Sequence, residues 1–190
     1  PKGFGANHNS AFAICKSDLF CVLNPDLYFS SINLAYMRNI LSDSSVGAWA
    51  PQVKSPAMSI EDSARKFPTP STLLSRYFLG RRPLDYPVPN CPIEVDWVAG
   101  MFVAFRKEVF SALNGFDESY RMYMEDVDIC RRLNRMSLKV IYDPRVMIIH
   151  DARRDSRKKL KYLIWHASSV VKYFFRYWPE SLTARWLHIR

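Results

Sequence analysis

Residues 122–133, MYMEDVDICRRL, decide how this chain is read. Three carboxylates, Glu125, Asp126 and Asp128, fall within four positions between an aromatic, methionine-rich lead-in and the apolar pair Ile129 and Cys130. The pattern predicts a helix over 125–135, on which Glu125 and Asp128 share a face and Asp126 is turned about 100° from Glu125. Acidic residues suit a first helical turn, where unpaired N–H groups and the helix dipole favour each by about 0.3–1 kcal/mol. The flanking Met122–Tyr123–Met124 and Ile129–Cys130 imply a helix start that is partly buried. A buried carboxylate is costly unless it is paired, metal-bound or used as a base. Capping and chemistry both remain open from these residues alone.

Working outward, alternating signals predict an α/β protein with a mixed sheet. The expected elements are a helix at Ala6–Cys15, a buried strand at Leu19–Leu23, a turn at Asn24–Pro25–Asp26, a helix from Ser30 and a strand at Val46–Ala50. Residues 51–92 are rich in Pro, Ser and Arg, with helical spacing only at Ser71–Leu79. A stretch that long and irregular within a compact domain is expected to cover a site. Strands at Ile93–Val98 and Met101–Phe105, a helix at Lys107–Leu113, a turn at Asn114–Asp117 and a β-rich Lys139–Ile149 complete the domain.

The last helix, expected over Ser156–Trp178, carries Leu160, Leu163, Ile164, Ala167, Val170, Val171, Phe174, Phe175 and Trp178 at intervals of three and four. This stripe is expected to pack on the domain. The other faces bear basic residues interleaved with Tyr162, Trp165, Tyr173 and Tyr177, a composition that also suits peripheral contact with an anionic membrane. Of the formal net charge of +9, residues 151–190 hold 10 Lys and Arg against 3 Asp and Glu, whereas residues 1–150 hold 17 against 15. No nucleic-acid recognition motif accompanies the basic tail, so nucleic acid is not expected as a partner. The spacing of Cys15, Cys21, Cys91 and Cys130 suggests neither a disulfide framework nor a zinc site, and a reducing, cytoplasmic setting is expected. No apolar run approaches the roughly 20 residues that span a bilayer.

Two further positions carry chemistry. Asp26 follows a predicted strand, where ligands bind in open α/β sheets, although Asn-Pro-Asp is also an ordinary turn. His150 ends the apolar strand VMIIH, and an Asp oxygen and a His nitrogen can share a divalent ion.

Together these segments resemble the family 2 glycosyltransferases of the GT-A fold, in their rhamnosyltransferase-like branch. The resemblance rests on KGFGANHN, CVLNPD, DWVAGMFVAFRKEVF, LNGFDESY, MYMEDVDICRRL and YDPRVMIIH, which occur in the family's order. It implies that Asn24–Pro25–Asp26 stands at the family's Asp-x-Asp motif, with Asp26 and His150 as ligands of Mn2+ or Mg2+. Asp126 would be the general base and Glu125 its neighbour orienting the acceptor, with Asp128 capping or pairing with Arg131 or Arg132. Gly3, Gly5, Asn9, Asn24 and Pro25 would face the donor, and Trp97, Gly100, Asp117 and Arg131 the acceptor.

The implied reaction is inverting transfer of a sugar, by branch rhamnose, from a dTDP- or UDP-linked donor to a glycan or lipid-linked acceptor in bacterial cell-envelope polysaccharide synthesis. Residues 1–150 would form the catalytic domain and 151–190 a basic helical extension. Family members place a β-α-β-α-β nucleotide-binding unit before the segment resembling KGFGANHN, so an N-terminally truncated domain is expected here. An exposed sheet edge could then promote oligomers. The alternative is a noncatalytic module that binds an acceptor, a lipid surface or a partner chain.

Overall fold

The computed structural model of the chain describes residues 2–29, 32–73, 84–151 and 160–183, with side chains of the last segment described over 161–177. Helix α1 (Phe4–Phe12) leads into β1 (Leu19–Leu23), β2 (Leu27–Tyr28), α2 (Leu34–Leu41), β3 (Val46–Lys54) and β4 (Ala64–Arg65). Then follow β5 (Ile93–Val95), β6 (Trp97–Val98), β7 (Phe102–Arg106), α3 (Lys107–Ala112), α4 (Glu125–Arg135), β8 (Lys139–His150) and α5 (Leu160–Thr183). The main sheet runs β1-β7-β3-β8-β2, with β5 also paired to β8, and a small second sheet joins β4 to β6. Pairing is antiparallel except between β3 and β8, so the sheet is mixed, as the alternation of elements predicts.

Both faces of the sheet are covered. Along β7, Phe102 and Ala104 face a layer with Met37 and Leu41 of α2, while Val103 and Phe105 face the opposite layer with Val109, Phe110, Val127 and Leu133. This period-two alternation is what a strand buried on both sides requires. Strand β3 extends beyond the expected Ala50 through Pro51 to Lys54. Pro51 is tolerated because the β3–β8 register shifts there, from Pro51 opposite Asp143 to Gln52 opposite Met147. A bulge relieves the ladder of the missing N–H donor.

Helix α4 spans the expected residues, and α2 begins at Leu34 because Asn33 accepts the amide of Tyr36 as its N-cap. Residues 71–73 are helical, and the rest of the helix expected at Ser71–Leu79 lies outside the described residues, as do Ser30 and the expected start of the last helix at Ser156.

The packing of α5 departs from expectation. Its buried residues are Ser169, Tyr173 and Tyr177, whereas Leu163, Ile164, Val171 and Phe175 of the apolar stripe are exposed. Val170 and Phe174 are the stripe residues that reach the core edge; the side chains of Leu160 and Trp178 lie outside the described residues. Polar anchors decide the rotation of the helix. The Tyr177 hydroxyl donates to Asp128 Oδ1 at 2.7 Å, Ser169 Oγ donates to the Met122 carbonyl at 3.0 Å, and Arg135 lies over the Tyr177 ring at 4.6 Å. A tyrosine can bury its ring while satisfying its hydroxyl, so the tyrosine face displaces the purely aliphatic one.

Two substitutions separate these faces. Tyr177→Phe is expected to lower the unfolding free energy by about 1–3 kcal/mol in urea titration, because it removes a hydrogen bond from a buried carboxylate. Phe175→Ser on the opposite face is expected to leave stability within about 0.5 kcal/mol of the parent.

Candidate active site

The chain enters α4 through two consecutive left-handed residues, Tyr123 (φ 70°) and Met124 (φ 71°). Such conformations cost about 1–3 kcal/mol each for non-glycine residues and persist only where the surroundings impose them. The turn sends the three carboxylates to three different fates. Asp128 is fully buried, accepts from Arg132 Nε at 2.7 Å as well as from Tyr177, and lies 3.4 Å from Arg176 Nη1. It is the structural member, with Arg132 as its partner. Glu125 is buried, and its Oε2 receives no hydrogen bond.

Asp126 accepts the amide of Gly100 on Oδ2 at 3.1 Å and that of Val127 on Oδ1 at 2.9 Å. It reaches a cavity of about 660 Å³ walled by Arg65, Trp97, Tyr123, His166, Val170 and Phe174, with Glu125 and Asp126 in its lining. A Cβ at Gly100 would stand 3.2 Å from Phe4 Cζ, a tight contact with the Phe4 ring, and 3.6 Å from Asp126 Cβ, an ordinary one.

Burial, and then the neighbouring Asp126 charge, push the Glu125 carboxyl up to about 8. Burial also raises Asp126, against the two amides and the Arg65 charge. Two adjacent carboxylates in a desolvated site cannot both ionise readily. The amide donors and the helix N-terminus favour charge on Asp126, which leaves the shared proton on Glu125. The arrangement can therefore hold an ionised oxygen ready to accept a proton at the cavity wall. His166 sits at the rim, its ring centroid 5.2 Å from that of Tyr123, and burial holds its imidazole below the usual value against the opposing Asp126 charge.

A second cluster forms at the ends of β1, β3 and β8. His150 pairs with Leu27 across the β2–β8 ladder, and Asp151 N donates to Asp26 O at 3.0 Å. His150 Nε2 stands 3.3 Å from Asp26 Oδ1, and Nδ1 is 3.0 Å from Glu61 Oε2. In the tautomer whose Nδ1–H donates to Glu61, the Nε2 lone pair faces an Asp26 oxygen that is buried and has no hydrogen bond. A proton on Nε2, or a cation held by both atoms, would satisfy this contact. A carboxylate-oriented histidine beside a second carboxylate is a donor set suited to a divalent ion. Among the described residues no three His, Cys, Asp or Glu side chains converge as a metal cage. Ions such as Mg2+ are commonly held by one or two side chains, with substrate phosphates and water completing the shell.

The two clusters are linked through one turn. Gly100 N binds Asp126, Asn24 N donates to Met101 O at 2.9 Å, and Ala99 N donates to Ser63 O at 2.8 Å, two residues from Glu61. Asn24 and Pro25 thus carry Asp26 from the end of β1 into this junction.

Other expected site residues have different surroundings. Trp97 lines the cavity and donates from Nε1 to Lys66 O at 2.9 Å. Arg131 is buried against the Phe67 and Tyr177 rings, and Asp117 pairs with Arg176; neither lines this cavity. Gly3 and Gly5 fit α1 against the 116–121 segment, where a Cβ on Gly3 would stand 2.4 Å from the Arg121 carbonyl oxygen and one on Gly5 2.8 Å from Phe116 Cβ. Asn9 exchanges hydrogen bonds with both the amide and the carbonyl of Phe116 at 2.9 and 2.8 Å. These three residues hold the scaffold together.

Glu61, Arg65 and His166 escape the sequence reading. The first two lie in the aperiodic, proline-rich stretch, which signals a covering loop without indicating which side chains turn inward. His166 shares the tyrosine face of α5, which the apolar stripe had masked.

A raised carboxyl binds its proton more tightly in the folded than in the unfolded chain, so its contribution favours folding below the unfolded value and is lost as pH rises through the folded one. Glu125→Gln, which cannot ionise, is therefore expected to gain stability relative to the parent as pH rises from about 4.5 to about 8. Chemical denaturation at pH 5 and pH 9 checks this: a difference between the two proteins that does not change with pH would contradict the assignment.

Comparison with known proteins identifies relatives of the chain. No family model matches the sequence. The chain is 33% identical over 186 residues to the rhamnosyltransferase WbbL of Escherichia coli, covering 92% of the chain and 70% of that protein. It is 29% identical over 164 residues to the N-acetylglucosaminyl-diphospho-decaprenol L-rhamnosyltransferase of Mycobacterium tuberculosis, covering 80% of the chain and 53% of that protein. Among solved structures it resembles GalNAc-T7 with UDP, GalNAc and Mn2+ (TM-score 0.61, 14% identity, 81% of the chain and 31% of the other). It also resembles the mannosyltransferase PcManGT of Pyrobaculum calidifontis with GDP-Man and Mn2+ (TM-score 0.56, 17% identity, 90% and 44%). With this sequence relationship and the mixed sheet shared with GT-A enzymes, the chain belongs to the rhamnosyltransferase-like branch of the family 2 glycosyltransferases.

Proposed function

We propose that the protein transfers a sugar, rhamnose by its branch, with inversion from a dTDP- or UDP-linked donor to a hydroxyl of a glycan or lipid-linked acceptor. The observation that supports this most directly is the Glu125–Asp126 pair at the cavity wall, one carboxylate held ready by amide donors and the other retaining a proton.

In this reading Asp126 accepts the proton of the acceptor hydroxyl while the hydroxyl oxygen forms its bond to the anomeric carbon. The bond from that carbon to the diphosphate oxygen breaks on the opposite face, and its electron pair leaves with the nucleotide. Attack from the face opposite the leaving group inverts the anomeric configuration. Glu125, protonated near neutral pH, donates a hydrogen bond that orients the acceptor. Trp97 offers an apolar wall to the acceptor, and Gly100 fixes the base through its amide.

Asp26 and His150 Nε2 would hold Mn2+ or Mg2+, with Glu61 fixing the histidine tautomer. When bound, that ion supplies Lewis-acid charge to the departing diphosphate. Asn24 and Pro25 set the height of Asp26 beside the donor. The short path through residues 99–101 keeps the donor end and the base in a fixed relation, which is the positioning that a two-substrate displacement needs.

Calorimetric titration with dTDP and with UDP, each with and without Mn2+, tests the donor side. Binding is expected to depend on Mn2+, and Asp26→Ala is expected to remove that dependence; metal-independent binding that survives the substitution would overturn the assignment of Asp26. A folded protein that binds neither nucleotide would favour a binding module instead. Asp126→Asn is expected to lower kcat by about 10²–10⁴ with nucleotide affinity unchanged, the loss typical of removing a general base.

A further inference from the structure

The apolar row that the core leaves uncovered on α5 has a setting that identifies its occupant. We propose that α5 lays the protein on the surface of an anionic lipid bilayer, with its outer row entering the interface and its basic flank meeting lipid headgroups. Ile164, Val171 and Phe175 are separated by seven and four residues, so they form one line along the helix. They are 57%, 62% and 87% exposed. The opposite face, through Ser169, Tyr173 and Tyr177, is the one that holds the core, so this line points away from the domain.

The chemistry beside the row is that of a membrane interface. Lys161 lies 4.7 Å from the Trp165 ring centroid and 5.7 Å from that of Tyr162, and Arg121 lies 4.5 Å from Trp165. Two cations gathered on an amphipathic ring next to exposed aliphatic residues match the headgroup level of a bilayer, where such rings concentrate. The segment that contains α5 also holds most of the excess positive charge, with 10 Lys and Arg against 3 Asp and Glu over residues 151–190. Basic residues near an anionic surface add to the attraction. No helix among the described residues is long and apolar enough to cross a membrane, so α5 lies on the bilayer. A second copy of the chain is the poorer occupant, because pairing this face with itself would bring two basic segments together.

The docking face also adjoins the candidate active site. Leu163, Ala167, Val170 and Phe174, next to the outer row on the helix surface, form the α5 wall of the cavity that contains Glu125 and Asp126. A bilayer against the outer row would therefore lie at the cavity's edge. Delivery of a lipid-linked acceptor along that edge rests on the proposed transfer reaction; the docking itself does not.

Co-sedimentation with vesicles tests the proposal separately from catalysis. On vesicles of phosphatidylcholine with one-third phosphatidylglycerol, the protein is expected to bind at least about fivefold more than on phosphatidylcholine alone. The excess is expected to vanish when salt rises from about 0.1 M to 1 M and the screening length falls from about 10 to 3 Å. Phe175→Ser and Ile164→Ser are each expected to cut binding to the anionic vesicles by about tenfold at unchanged melting temperature. Equal or absent binding of the folded parent on both vesicle types overturns the proposal without reference to any variant. So does undiminished binding of both variants, or light scattering that shows a dimer dispersed by Phe175→Ser.

Discussion

The buried carboxylate of Asp128 is the constraint on which the other features of the site depend. It takes the Tyr177 hydroxyl on one oxygen and the Arg132 guanidinium on the other, and Arg132 in turn donates to the carbonyls of Leu113 and Gly115. One charge thereby ties α4 to α5 and to the turn after α3. Breaking a buried pair by removing one partner costs about 3–5 kcal/mol, because the remaining charge stays in place without water. With Asp128 fixed inward, the helical period turns Glu125 inward as well and leaves Asp126 at the cavity wall. The direction of the candidate base is set two residues before the anchor that determines it.

Three acidic residues of similar intrinsic chemistry thus acquire different states from their surroundings. Asp128 is paired with Arg132 and Tyr177, Asp126 is favoured in its charged form by two amides, and at Glu125 burial and the Asp126 charge outweigh its backbone donors and raise the carboxyl. Separation of protonation states between neighbouring carboxyls is how a site presents an acid and a base at one pH. The two left-handed residues before α4 are the backbone expression of the same arrangement, since an ordinary entry would carry the pair elsewhere.

The second cluster follows the logic of an α/β sheet. Strands β1 and β8 bring Asp26 and His150 to a shared edge, and β3 leads into the segment that supplies Glu61. The turn at residues 99–101 touches both clusters through backbone hydrogen bonds, which transmit position without depending on side-chain identity. Asn24 and Pro25 belong to this junction, whereas Gly3, Gly5 and Asn9 stabilise the scaffold around residues 116–121. Short motifs that occur in the family's order thus divide here between the candidate site and the scaffold.

The class of fold, the extent of β1 and α4, and the grouping of Asp26, Glu125, Asp126 and His150 as chemically notable residues were legible in the sequence, because periodicity, turn residues and unusual charge density are local properties. The sequence also pointed to Asp128 pairing with a nearby arginine, since a partner four residues along a helix is also local. Continuation of β3 through Pro51 was not legible, because the bulge that accommodates it belongs to the pairing with β8. Glu61 was hidden because a strand edge distant in sequence, not its neighbours, brings it to His150. The rotation of α5 was decided by tertiary structure alone: the apolar stripe promised burial, but Ser169 and Tyr177 found polar partners on the domain and the Tyr173 ring packed beside that of Tyr177. A helix with two candidate faces docks with the one that gains polar anchors as well as packing, and those partners come from the rest of the fold.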